Sequence, residues 1–555
     1  MASFILWTFL LPFTFAATIT NPVLWQDYPD LDVFRVGNVF YYSSSTFAYS
    51  PGAPVLASYD LVNWTPVTHS VPTLNFGAKY NLNGTSGSAY VKGIWASTLR
   101  YRASTDTFIW MGCIESRQTY IWTASGTRAA ANNGVVAPSA WNWTAQPPIP
   151  KCYYDCGLLI DNDDTLYVAY GNPQIHVAQL SPDGLRQVKD QVVFSADFTI
   201  EGSRMYRIKD TYYIFVTRPA DAEYVLKSTS GPFGPYTSRV LVNRISGPLT
   251  SAGYAHQGGI VDTPSGQFYY VAFLDAYPGG RIPVAAPLTF NAAGWPEVTT
   301  DSKGGWAREY PPAVTPASAS SSGPQTQNLT GLGGSPILGT DTFSGPTLSH
   351  NWEWNHNPDN SKWEFTSGGG LSLRTADVTT DLFSARNTLT QRILGPRSTG
   401  TFRVDVSGMR DGDRMGAVLF RDRAAYIGVW KEGSASRIVV VTGLMLTEGT
   451  WATSGRGTVA ATGPTLVTNG TEGVQDVWLR IDADVTPAFG TSTERTAAFS
   501  YSLDGGKNFV KLGPEAKMTN SWRYFTGYRF GVFNHATKAL GGEVKVKSFT
   551  MELVK

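Results

Sequence analysis

Three carboxylates stand within six residues at Asp27, Asp30 and Asp32, directly ahead of the strand-like run "DVFRVGNVFYY". Charged residues make up only 16% of the chain, so this crowding departs from its average. The pattern returns downstream. The runs "STLRYRASTDTFIWMGC", "GLLIDNDDTLYVAYG", "SRMYRIKDTYYIFVTR" and "GGIVDTPSGQFYYVAF" each read as an apolar strand, a turn, and an aromatic strand. Just ahead of the five hairpins stand Asp30, Trp95, Asp155, Glu201 and His256, each about 10 to 14 residues before its aromatic strand.

Grouped carboxyls can carry acid–base chemistry. Glycoside hydrolysis needs two of them, flanking the scissile bond. One protonates the leaving oxygen and the other, ionised, activates water or attacks the anomeric carbon. A third carboxylate beside them raises the acid's pKa by like-charge repulsion. Asp30, Asp155 and Glu201 supply all three groups if the fold brings them to one point.

The spacing of the hairpins says how it could. Their starts lie roughly 45 to 65 residues apart, a period that suggests propeller blades. Five hairpins predict a five-bladed β-propeller, with an irregular β-sandwich as the alternative. Equivalent positions in successive blades are related by rotation about the axis. Residues at the starts of the inner strands therefore converge on one end of the central channel.

Residues 313–340, rich in Pro, Ser, Thr and Gly, read as a linker. From residue 341 polar and apolar residues alternate in strands such as "TGTFRVDVSGM" and "VQDVWLRIDAD", which predicts a β-sandwich of the jelly-roll or concanavalin-like kind. The expected fold is all-β: a propeller over 18–312, the linker, and a sandwich over 341–555. The Trp-rich opening "NWEWNHNPDNSKWEF" could bind glycan or pack on the first domain.

Composition narrows the partners. A formal net charge of +1 in 555 residues favours neither nucleic acid nor an anionic membrane. Aromatics are 13% of the chain; most must pack the core, but exposed rings would suit sugar C–H faces. The opening "MASFILWTFLLPFTFAATIT" reads as a secretory signal over residues 1–17, although it lacks a basic start. Its apolar run is too short to span a bilayer, so a secreted, extracellular protein is expected. Sequons at Asn63, Asn83, Asn142, Asn328 and Asn469 fit a glycoprotein. Three cysteines, Cys113, Cys152 and Cys156, allow at most one disulfide and exclude a four-cysteine zinc site.

The segments carry a resemblance. "YPDLDVFRVGNVFYY", "GIWASTLRY", "YYDCGLLIDNDDTLYVAYG", "IEGSRMYRIKDTYYIF", "AHQGGIVDTPSGQFYYVAF" and "GGRIPVAAPLTFNAAGWPEV" are similar, in order, to segments of glycoside hydrolase family 43. The second domain resembles the β-sandwich appended to many members. The whole chain looks most like secreted fungal arabinoxylan α-L-arabinofuranosidases. The resemblance implies Asp30 as general base, Glu201 as general acid and Asp155 as the group that tunes and orients the acid, with inversion of configuration. It implies Trp95 and Tyr154 as walls of the sugar pocket and Arg281 as a donor to a sugar hydroxyl or to the acids. His256 would lie near the axis, where the family often places waters or a calcium or sodium ion; no cofactor is required. The implied partner is a plant cell-wall polysaccharide, arabinoxylan, met by a monomer. Leu31, Ser97, Cys156 and Ser203 stand where the family usually has proline, which bears on backbone geometry more than on chemistry.

Three other readings compete. Invertase-type enzymes share the architecture, but their N-D-P-N-G signature is missing here. A catalytically silent carbohydrate binder has no need of mutually repelling buried acids. A β-xylosidase of the same family would use the same residues.

Overall fold

The computed structural model describes residues 18–83, 87–314, 334–466 and 476–554. The signal expected over 1–17, most of the linker, and the sequons at Asn328 and Asn469 lie outside the described residues.

Each hairpin recognised in the sequence is the inner pair of a four-stranded antiparallel sheet, and there are five such sheets. The inner strands are Asp32–Val36, Thr98–Arg102, Gly157–Ile160, Glu201–Ile208 and His256–Asp262. They touch one another in a closed ring, first to second and on to fifth and first, which makes the five sheets a propeller. Burial falls toward the rim in blades two to four, whereas the rim strand of blade one, Thr65–Val71, is buried. In blade three the second strand, Leu166–Tyr170, is almost wholly buried, whereas the outer strand, Gln187–Ser195, is largely exposed. The aromatic and β-branched second strands are therefore the packing layers between blades. The ring is closed at its ends as well. Ile19–Thr20 pairs with Glu309–Tyr310, and the Asn21 side chain both donates to and accepts from the Ala285 backbone in blade five.

The C-terminal unit is a sandwich of a nine-stranded and an eight-stranded sheet. Trp352, Phe402, Phe530 and Phe549 fill the space between them. Of the tryptophans at its opening, Trp352 and Trp354 are buried in the core and Trp363 is half-buried against Trp354.

The two domains share a sheet. The propeller strand Tyr49–Ser50 pairs with Trp352–Asn355 and forms the edge of the eight-stranded sheet. Behind this seam lies a buried ionic cluster. Glu353 of the sandwich is fully buried and accepts from Arg392 at 2.9 Å, Arg529 at 2.6 Å and His69 of the propeller at 3.1 Å. The two guanidiniums, together with the histidine, hold the Glu353 carboxyl far below the usual range against its burial. They also lie over propeller rings, Arg392 on Tyr28 at 4.3 Å and Arg529 on Tyr49 at 3.6 Å. Glu353→Gln leaves these cations without a counter-charge. It is expected to cost about 3–5 kcal/mol, read as a fall in the thermal unfolding midpoint.

One disulfide, Cys113–Cys152, joins the second strand of blade two to the segment leading into blade three; Cys156 is a buried free thiol.

Candidate active site

The site begins with an unusual backbone. Asp30 and Asp155 each stand two residues before the first paired residue of their inner strand, and both adopt left-handed conformation, with φ of 55° and 49°. Aspartate tolerates this region better than most residues. In blades four and five the left-handed residues are Gly202 (φ 68°) and Gln257 (φ 49°), two before pairing resumes at Arg204 and Gly259. Glu201 and His256 therefore stand one residue earlier than Asp30 and Asp155. Read by sequence offset the positions looked equivalent; a bulge at the head of each of the two later blades shifts them by one. A Cβ at Gly202 would lie 2.8 Å from the Gln257 side chain, so this turn needs glycine.

One guanidinium gathers the three acid-bearing turns. Arg204, 1% exposed, donates to the carbonyls of Asp30 (3.1 Å), Leu31 (2.9 Å), Cys156 (2.8 Å) and Ser203 (2.9 Å). These carbonyls belong to blades one, three and four and flank Asp30, Asp155 and Glu201. Arg204 also lies 3.7 Å from Asp32, which takes further bonds from Thr98 and Leu99 and pairs with Arg100 of blade two. The fork of the guanidinium sets the backbone spacing of the acids, which no single blade could do.

Above this layer the side chains converge. Arg281, from the third strand of blade five, donates to Asp30 at 2.8 Å and to Asp275 at 3.4 Å. Its ring neighbours are Phe273 at 5.0 Å and Phe525 at 5.1 Å. Glu201 accepts from the Tyr154 hydroxyl at 3.2 Å and from Asn172 at 3.0 Å, both on one oxygen. Trp95 packs edge-on against Tyr154, with ring centroids 6.4 Å apart. His256 is buried; its Nδ1 donates to the Tyr254 carbonyl, and its Nε2 faces Asp275 at 3.8 Å. Among the described residues no group of three or more His, Cys, Asp or Glu side chains is arranged to hold a metal.

The electrostatics separate the carboxyls. Burial pushes Asp155 well up, and repulsion from Glu201 and Asp30 adds to this, against the pull of Arg204 and the Gly202 N–H. Burial also raises Glu201, with repulsion from Asp30 adding and the bonds from Tyr154 and Asn172 opposing. Raised acids near a carboxylate that is paired with arginine form the arrangement in which one group can give a proton while another takes one. The Tyr154 hydroxyl favours the ionised form of Glu201. Tyr154→Phe removes that bond, so the pKa of Glu201 rises. If Glu201 must be protonated to act, the alkaline limb of kcat/KM moves to higher pH in this variant, as a pH–rate profile would show.

All seven residues singled out in the sequence lie in this region: Asp30, Asp155, Glu201, Arg281, Tyr154, Trp95 and His256. The other two carboxylates of the opening cluster, Asp27 and Asp32, have partners remote in sequence. Asp27 accepts from the backbone of Arg281 (2.8 Å) and of Gly527 in the sandwich (2.9 Å), and so ties the third strand of blade five to the second domain. Arg204, Asn172 and Phe525 were not anticipated. Phe525 reaches the site on a sandwich loop whose carbonyls at Ser521 and Thr526 are held by buried Arg421, and it stacks on Phe47 at 5.6 Å.

The chain as a whole is similar to known proteins. The family described as glycosyl hydrolases family 43 matches residues 19–296, and the beta xylosidase C-terminal concanavalin A-like domain matches residues 340–552. A beta-xylosidase of Formosa agariphila is 27% identical over 594 residues, covering 96% of this chain and 90% of its own. A non-reducing end alpha-L-arabinofuranosidase of Bacteroides ovatus is 28% identical over 380 residues, 64% of each chain. A solved GH43 glycoside hydrolase is 63% identical with a TM-score of 0.92, covering 97% of this chain and all of that one. Engineering of that enzyme's active site generated both endo-xylanase and exo-arabinofuranosidase activity.

Proposed function

The chain belongs to glycoside hydrolase family 43, and from that premise we propose that it removes α-L-arabinofuranosyl side chains from arabinoxylan, doubly substituted xylose included, with inversion of configuration. The observation that carries the reading is the convergence of three carboxyl-bearing turns on the single guanidinium of Arg204.

In this mechanism Asp30 is the base. The bond from Arg281 fixes one of its oxygens, leaving the other to take a proton from water. As the water oxygen bonds to the anomeric carbon, the bond to the leaving oxygen breaks. Glu201 passes its proton to that oxygen and becomes the carboxylate that Tyr154 and Asn172 are already placed to stabilise. Burial and repulsion from Asp30 keep the acid protonated until then, and Asp155 is assigned the role of tuning and orienting it. Trp95 and Tyr154 wall the sugar, and Phe525 closes the side above Arg281.

The choice of arabinose leans on the likeness to the 63%-identical enzyme, whose engineered form displays exo-arabinofuranosidase activity. A second reading, β-xylosidase, is favoured by the name of the Formosa relative and by the description of the C-terminal domain. Incubation with wheat arabinoxylan and, separately, with linear xylo-oligosaccharides separates them. The proposal expects free L-arabinose from the polymer and no xylose from the oligosaccharides; xylose release would install the second reading. The reading includes export as a glycoprotein, with Asn63, Asn83 and Asn142 exposed on the propeller.

A further inference from the structure

Two hollows meet beside the acid. An open groove of about 710 Å³ is lined by Tyr154 and Asn172, the two donors to Glu201, and runs past Pro173 and Gln174 to Ser195 and Ala196. Ser195 and Ala196 also line a second hollow of about 270 Å³, whose far wall is Phe194, Phe198 and Tyr224. The two hollows therefore adjoin at these residues. The connection holding Asp197 and Phe198 leads from the outer strand of blade three, Gln187–Ser195, directly into Glu201, so it lies at the acid-bearing end of the blades.

The chemistry of the site gives this direction a meaning. A general acid protonates the leaving oxygen, so the leaving group lies on the acid's side. A groove that opens from the donors of Glu201 is where the departing main chain would run. Its far end is built for a sugar ring. Phe198 is 38% exposed, and its ring leans on Tyr224 with centroids 5.3 Å apart at 43°. Tyr224 is braced through its hydroxyl by Arg218 at 3.4 Å, and Arg218 is itself fixed by Asp221 and Asn243. The Asp197 carboxylate beside them has no hydrogen bond or ion pair within the described residues, so its acceptors are free for sugar hydroxyls. An exposed ring over a braced aromatic, with an unused acceptor alongside, is the pairing of apolar face and directed polar group that orients a ligand.

We propose that Phe198, Tyr224 and Asp197 form a distal subsite that binds a β-1,4-linked xylopyranose of the main chain, several residues from the arabinosylated one. The proposal rests on the reading that the leaving group is a xylan-type chain. A pyranose in such a chain presents an apolar C–H face to Phe198 and its equatorial hydroxyls to Asp197.

The test is calorimetric titration of the Glu201→Gln protein, which turns over slowly enough to measure binding, with xylohexaose and with xylobiose. Phe198→Ala added to it is expected to raise the Kd for xylohexaose by about five- to tenfold, with a smaller rise for Asp197→Ala. Phe198→Trp, which keeps an aromatic face, should hold Kd within about twofold of the parent, which shows that the ring and not the fold is lost in the alanine variant. A Kd for xylohexaose that neither Phe198→Ala nor Asp197→Ala changes overturns the subsite while leaving the functional reading intact. A parent that binds arabinan oligosaccharides but not xylohexaose overturns the functional reading, and the subsite with it.

Discussion

Glu201→Gln is expected to lower kcat on arabinoxylan by about 10²–10⁴-fold, and Asp30→Asn by at least as much, with neither variant unfolding. The stability half of this follows from the site's electrostatics. Burial and repulsion raise Glu201, so its neutral form is favoured more in the folded protein than in the unfolded chain, and glutamine imitates that form. The thermal midpoint should hold or rise. The two losses also differ in kind. An acid is needed in proportion to the basicity of the leaving oxygen, so Glu201→Gln should recover much of its rate on an aryl arabinofuranoside with an activated leaving group. Asp30→Asn should not, because water must be activated whatever leaves. Steady-state kinetics on the two substrates, with melting curves, checks this. Equal behaviour of the two variants on the activated substrate would remove the assignment of acid and base.

Arg204→Leu should be the most damaging single change away from the carboxyls. It strips bonds from the carbonyls of Asp30, Leu31, Cys156 and Ser203 and leaves buried Asp32 to Arg100 alone among its cations. Removing one partner from such a buried charged network costs about 3–5 kcal/mol. Because the acid-bearing turns lose their common anchor, kcat should fall about 10²-fold or more even in the fraction that folds. Arg204→Lys keeps the charge without the planar fork. It should regain part of the stability and little of the turnover. Urea unfolding together with kcat of the soluble fraction measures both. If Arg204→Lys matches the parent in turnover, the fork does not set the spacing of the acids.

What the sequence discloses here is what repeats. The hairpins recur with their turns and aromatic strands, and so the five blades and the acids ahead of them could be found by comparison within the chain. Glu201 and His256 seemed to sit at the same offset as Asp30 and Asp155, because a one-residue bulge leaves no mark that spacing can show. Arg204 was hidden for another reason. It occupies an inner strand as one arginine among many, and its meaning comes from the turn just ahead of it and from two turns belonging to other blades. Phe525 lies in the second domain, hundreds of residues from Arg281, and only the tertiary fold brings them together. The strand Tyr49–Ser50 is two residues long, too short for any periodicity, yet it joins the two domains in one sheet. With three cysteines three pairings were open, and the choice of Cys113 with Cys152 depends on where blade two ends relative to Asp155.

The most direct test of the account is the anomeric configuration of the first sugar released, followed by proton NMR from the moment arabinoxylan meets enzyme. Water delivered by Asp30 opposite the bond that Glu201 protonates must give β-L-arabinofuranose first, with the α-anomer growing in only as mutarotation proceeds. Appearance of the α-anomer as the initial product would mean two displacements through a covalent intermediate, and the roles given to Asp30 and Glu201 would be wrong.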